Sequence, residues 1–164
     1  MNILVAGVGN VLRSDDGFGC AVAHHLIDLG VPEGVRVMEI GIGGIHLVQA
    51  LFDTTDALVI VDAVDHGRPP GTVMVIEPTV VDVEAMTLTE RHDQLGDMHY
   101  TTPERAMMLA RGLGVLPAVR WLVGCQPVDA ESVGQQLSHV VRRAVPLAAV
   151  EVRRLVTEAG VAWS

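Results

Sequence analysis

Asn2-Ile3-Leu4-Val5-Ala6-Gly7-Val8-Gly9-Asn10-Val11-Leu12-Arg13-Ser14-Asp15-Asp16-Gly17 opens the chain and decides its architecture. A continuous apolar run from Asn2 to Val8 reads as a strand buried on both faces. It ends in glycines, and an acidic turn follows before the apolar-rich Phe18 to Leu29, which predicts a helix. A strand feeding a helix through a glycine turn is the start of a βαβ unit.

The pattern continues along the chain. Strands are expected at Val35 to Ile40, Ala57 to Val64, Gly71 to Glu77 and Val119 to Cys125, and a short helix at Gly43 to Phe52. A further helix is expected at about Thr102 to Leu113, with Thr102 as N-cap and Pro103 in its first position. The tail from about Leu137 to Ala159 is helical, with Pro146 marking a kink or a restart. Residues 78–98 show no clear periodicity and read as a long loop, or a loop with a short helical turn. Strands alternating with helices predict an α/β fold: a three-layer α/β/α sandwich around a mostly parallel twisted sheet.

Composition narrows the function. The chain has 164 residues, 49% of them hydrophobic, and a net charge of −9. That length suits one domain, residues 1–164, which buries roughly 70% of its unfolded surface. With 20 acids against 11 bases, the chain is a poor ligand for phosphate backbones. Met1-Asn2-Ile3-Leu4-Val5 lacks a basic region and does not read as a signal peptide. No run approaches about 18 apolar residues, so no membrane span is expected. Cys20 and Cys125 sit in apolar stretches, imply no disulfide framework and fit a reducing cytoplasm.

The glycine cluster invites a nucleotide reading, but Leu12 stands where the dinucleotide fingerprint needs its third glycine, and Asp15 and Asp16 would repel a phosphate. Acids in a first helical turn also interact favourably with the helix dipole. Asp62 ends the apolar strand Leu58-Val59-Ile60-Val61, where α/β proteins bind ligands, and Asp65 and His66 compete for the same role. Among seven histidines, His92 and His99 stand out because they lie at the end of the acidic stretch. Two carboxylates and an imidazole form an O,O,N set suited to a borderline divalent ion. No H-E-x-x-H, no G-x-S-x-G and no Asp-Thr-Gly loop is present.

These residues resemble a known family. Gly7-Val8-Gly9-Asn10-Val11-Leu12, followed by Asp15-Asp16-Gly17-Phe18-Gly19, looks like the signature opening of the NiFe-hydrogenase maturation endopeptidases. The likeness runs on through Val61-Asp62-Ala63, the histidine before Pro103-Glu104-Arg105-Ala106, Leu122-Val123-Gly124-Cys125-Gln126-Pro127 and Leu137-Ser138, covering nearly the whole chain. It implies a hydrolase-like α/β protein, grouped with the aspartyl proteases, that removes the C-terminal extension of a hydrogenase large-subunit precursor after nickel insertion. It also implies that Asp16, Asp62 and His99 hold the nickel, which the substrate carries, and act in catalysis. His99 is preferred to His92 because its distance to Leu122-Val123-Gly124 matches the family without an insertion. The expected partner is the precursor, with no nucleic acid or membrane, and the enzyme is expected to be a cytoplasmic monomer. A non-cleaving metal-binding or chaperone module on the same fold is the alternative. One departure is the family's Asp-Gly-Gly-Thr segment, which here reads Glu39-Ile40-Gly41-Ile42-Gly43-Gly44 without a threonine.

Overall fold

The computed structural model describes residues 1–95 and 102–164. Five strands form one sheet: β1 (Ile3–Val8), β2 (Val35–Gly41), β3 (Ala57–Ala63), β4 (Val73–Ile76) and β5 (Val119–Cys125). Their order is β2-β1-β3-β5-β4. The first four run parallel, and β4 pairs antiparallel with β5 at the edge. The expected mostly parallel sheet is therefore present, and β3 and β5 are the apolar runs that the sequence marks.

Helices α1 (Phe18–Leu29) and α5 (His139–Glu158) cover one face, and α2 (Gly44–Leu51) and α4 (Pro103–Gly112) cover the other. Alternating side chains of each central strand feed the two cores. Val59 and Val61 meet Phe18, Val22 and Leu26 of α1, whereas Leu58 and Ile60 meet Leu47 and Met107 on the opposite face. Each such side chain, fully buried, contributes about 1.5–3 kcal/mol. Thr102 caps α4 as expected, its hydroxyl accepting the Arg105 N–H at 3.4 Å, with Pro103 in the first turn.

Two expectations need correction. Within 78–98, expected as a long loop or a loop with a short helical turn, lies a longer element, the two-turn helix α3 (Leu88–Leu95). It lacks an apolar stripe, and its Leu88 is 82% exposed, so periodicity could not reveal it. Its start is a capping box instead. Thr87 Oγ1 accepts the Glu90 N–H at 3.2 Å, and a Glu90 carboxylate oxygen accepts the Thr87 N–H at 2.7 Å. Pro146 does not restart a helix; it lies inside α5, a single 20-residue helix within the helical tail expected from about Leu137 to Ala159. The helix buries Val141, Ala144, Val145, Ala148, Ala149 and Val152 on both sides of the proline, and that packing offsets the lost backbone bond.

The strand order has a functional consequence. From β1 the chain moves one way to β2, then returns past β1 to β3. The crevice above the carboxyl ends of β1 and β3 is thus the topological switch point, where open α/β sheets bind ligands.

Glycines let α1 lie close over this point. A Cβ on Gly19 would stand 2.2 Å from the Val61 carbonyl oxygen and 2.3 Å from that of Val8. Gly19→Ala should therefore cost about 3 kcal/mol through overpacking against backbone, which cannot yield as a side chain does. Gly112→Ala, with no neighbour in contact, should be neutral or slightly stabilising. Chemical denaturation of both variants checks this, and equal midpoints would contradict it.

Candidate active site

A cleft of ≈ 240 Å³ opens at the switch point, lined by Gly9, Asn10, Arg13, Asp16, Gly41, Ile42, Asp62, Thr102 and Pro103 among others. Two of the three expected site residues meet here. Asp62 is the penultimate residue of β3, and Asp16 comes from the 3-10 turn Ser14–Gly17 that follows β1. His99 lies outside the described residues. His92 is exposed on α3 and does not line the cleft. Among the described residues no three His, Cys, Asp or Glu side chains are grouped to hold a metal ion. A larger cleft, ≈ 340 Å³, lies at the other end of the sheet beside Asn2, Gly34 and Asp53. There the Arg36–Asp53 ion pair ties β2 to the loop after α2, and the strands' carboxyl ends are far away.

The position of Asp16 is built by its loop. The Asn10 N–H donates to Asp16 Oδ2 at 2.8 Å, and Asn10 Oδ1 accepts the Leu12 N–H at 2.9 Å. Gly9, at φ 128°, brings the chain so near that a Cβ there would sit 1.8 Å from the Asp16 carbonyl oxygen. The glycines that invited a nucleotide reading thus serve close packing of the loop on α1 and on Asp16.

Asp15 has a different fate from its neighbour, and the helix-dipole reading does not describe it. Its side chain is fully buried. It accepts four hydrogen bonds, from the Val128, Asp129 and Ser138 N–H groups and the Ser138 hydroxyl, at 2.7–3.2 Å. A buried carboxylate so satisfied clamps the first loop to the segment between β5 and α5.

Asp62 is half-buried on the α2/α4 side of the sheet, the side of Ile60. Burial first, then the carboxylates of Asp16 and Glu104, push its carboxyl well above the usual carboxylate range. No sequence pattern marks Glu104 for this role, since it reads as an ordinary first-turn acid. Neither competitor of Asp62, Asp65 or His66, lines the cleft, and Asp65 is committed elsewhere: it accepts from the Gln126 amide at 2.9 Å and from the Gly67 N–H at 3.1 Å. The segment that departs from the family pattern is split between the two faces. Gly41 and Ile42 line the cleft, whereas Glu39 faces α1 and pairs with His24 Nε2 at 2.7 Å. Both cysteines are buried, as expected of core residues. Burial, then the Glu39 charge, pushes the Cys20 thiol up to about 12; burial, then Asp15, pushes Cys125 up to about 11. Neither is a nucleophile near neutral pH.

Comparison with known proteins bears on this arrangement. A family model described as hydrogenase maturation protease matches residues 20–154. The chain belongs to the hydrogenase maturation proteases. It is 34% identical over 165 residues to the hydrogenase expression/formation protein HupM of Azotobacter chroococcum, covering 98% of this chain and 74% of that protein. It is also 34% identical over 163 residues to HupD of Rhizobium leguminosarum, covering 98% and 76%. Among solved structures it resembles the hydrogenase maturating endopeptidase HybD of E. coli, with a TM-score of 0.77 and 25% identity over 99% of this chain and 96% of that one. The three-layer α/β fold is thus that of this family, and the chemistry of a maturation protease is peptide-bond hydrolysis.

The raised Asp62 carboxyl carries a stability consequence. In the unfolded chain this group ionises in the ordinary range, so above that range folding works against its deprotonation. Asp62→Asn removes that cost. The variant should melt a few degrees above wild type near pH 7, with the gap closing as pH falls through about 4 toward about 3, where both forms of the wild type carry the proton. Thermal melts across this range check it; a variant melting lower than wild type at neutral pH would contradict it.

Proposed function

We propose that the protein is an endopeptidase that removes the C-terminal extension of a NiFe-hydrogenase large-subunit precursor once nickel is in place, and that it recognises that nickel. The observation that carries this reading is the convergence of Asp16 and Asp62, from two different strand ends, on one cleft at the switch point of a maturation protease. His99 is the proposed third ligand. It precedes Thr102 of the cleft wall by three residues, a span of about 10 Å at full extension.

The nickel arrives as part of the substrate. Two carboxylates and an imidazole leave coordination positions free for ligands from the precursor, as in an open catalytic site rather than a closed structural one. Holding the ion at Asp16 and Asp62 fixes the adjoining peptide bond against the cleft, which supplies proximity. Water then adds to the carbonyl carbon, the C–N bond breaks, and the departing nitrogen takes up a proton. Burial and the acidic neighbours Asp16 and Glu104 raise the Asp62 carboxyl and so favour its protonated form. A divalent cation beside it acts in the opposite sense and favours the ionised form. A pepsin-like pair sharing a proton would favour acid, whereas metal-held carboxylates favour activity near neutral pH.

Nickel-loaded and metal-free precursors, incubated side by side with the enzyme and read by intact mass, test the reading. Only the loaded precursor should lose its C-terminal extension. Asp16→Asn, folded and of similar size, should slow this at least about 100-fold. Equal cleavage of both precursors would remove nickel recognition. Full activity of the Asp16 variant would remove that residue from the site.

A further inference from the structure

Arg13 enters the cleft without having been singled out by any sequence pattern. Among the described lining residues it is the one cation, in a cleft otherwise marked by Asp16 and Asp62. Among the described residues its guanidinium has no close partner in the fold. The one carboxylate within 4 Å among the described residues is that of Glu131, at 3.9 Å, on a side chain 91% exposed. A pair so open to water contributes little.

The backbone beneath Arg13, by contrast, is held at many points. The Arg13 N–H donates to the Asn10 carbonyl at 3.0 Å, and Arg13 forms a bridge with Gly134. On either side, the Ser14 N–H donates to the Gly134 carbonyl at 2.8 Å and the Gly134 N–H to the Leu12 carbonyl at 2.9 Å. Ser14 Oγ donates to the Ser132 carbonyl at 3.1 Å, and Asp15 closes the clamp below. Ser14 itself has φ 47°, the one non-glycine residue with positive φ among those described. Local strain of this kind persists where the surroundings over-determine it, and it clusters at functional sites. Here it turns the chain so that Asp15 points into the protein while Arg13 and Asp16 line the cleft.

We infer that Arg13 is a substrate-binding residue that takes an anionic side chain of the precursor, an Asp or Glu flanking the scissile bond. The inference rests on the function proposed above and deepens it. The cleft then presents a split charge pattern: carboxylates that accept a divalent cation, and beside them a guanidinium, on an anchored backbone, that rejects cations and pairs with a carboxylate. A precursor segment fits when it carries the nickel centre and an acid in the matching order, which gives register along the cleft as well as affinity.

Processing kinetics with nickel-loaded precursor test this. Arg13→Gln should raise KM about tenfold, the loss expected for one charge-assisted hydrogen bond, with kcat changed less than about twofold. Arg13→Lys should recover part of the loss. Glu131→Gln should match wild type. Replacing the precursor's flanking acids one at a time by their amides should identify one whose loss raises KM for wild type but not for Arg13→Gln. An unchanged KM in Arg13→Gln, the same defect in Glu131→Gln, or additive effects for every acid would overturn the inference. Absence of any cleavage by the wild-type enzyme would instead overturn the proposed function, and this inference with it.

Discussion

The site depends on one close approach, that of the backbone at Gly9 to the carbonyl of Asp16. A single added carbon at Gly9 would stand 1.8 Å from that oxygen. The contact folds residues 9–16 into a tight loop, and the Asn10 N–H then reaches the Asp16 carboxylate. Gly7 and Gly19 extend the same constraint downward, since a Cβ on Gly7 would lie 2.3 Å from the Gly19 carbonyl oxygen. With α1 seated this low, Asp16 comes to the same crevice as the end of β3. Wider spacing would carry Asp16 away from Asp62, and the cleft would hold one carboxylate instead of two.

Adjacent aspartates illustrate what a single sequence does and does not reveal. Asp15 and Asp16 are identical in type and share one turn. Asp15 is buried and accepts four hydrogen bonds from the segment before α5, more than 110 residues away in sequence. Asp16 is half-buried and faces the cleft. No periodicity rule separates them, because the distinction arises from a long-range partner. The likeness of the opening motif to the maturation endopeptidases supplied the choice of Asp16. Asp62 was legible on physical grounds alone, as a charge ending a strand otherwise apolar throughout. Arg13 was passed over because its significance depends on Ser14's backbone and on the clamp beneath it.

For the fold, the central strands and α1 were readable because burial on both faces leaves unbroken apolar runs. The α3 helix was hidden by its exposure, although Thr87 and Glu90 carried its capping signature. Pro146 left a kink or a restart open by a local rule, and the small apolar face packed against the sheet keeps one helix running through it. In both cases tertiary context, absent from a window of neighbouring residues, decided the outcome.

The central claim is that Asp16 and Asp62 hold one ion together, the nickel of the bound precursor. Its most direct test is a double-mutant cycle on binding, read before turnover. The ratio of affinities for nickel-loaded and metal-free precursor would be measured for wild type, Asp16→Asn, Asp62→Asn and the double variant. If one ion joins both carboxylates, either substitution should abolish most of the preference and the second should add little. A preference that survives both substitutions, or losses that simply add, would contradict the account.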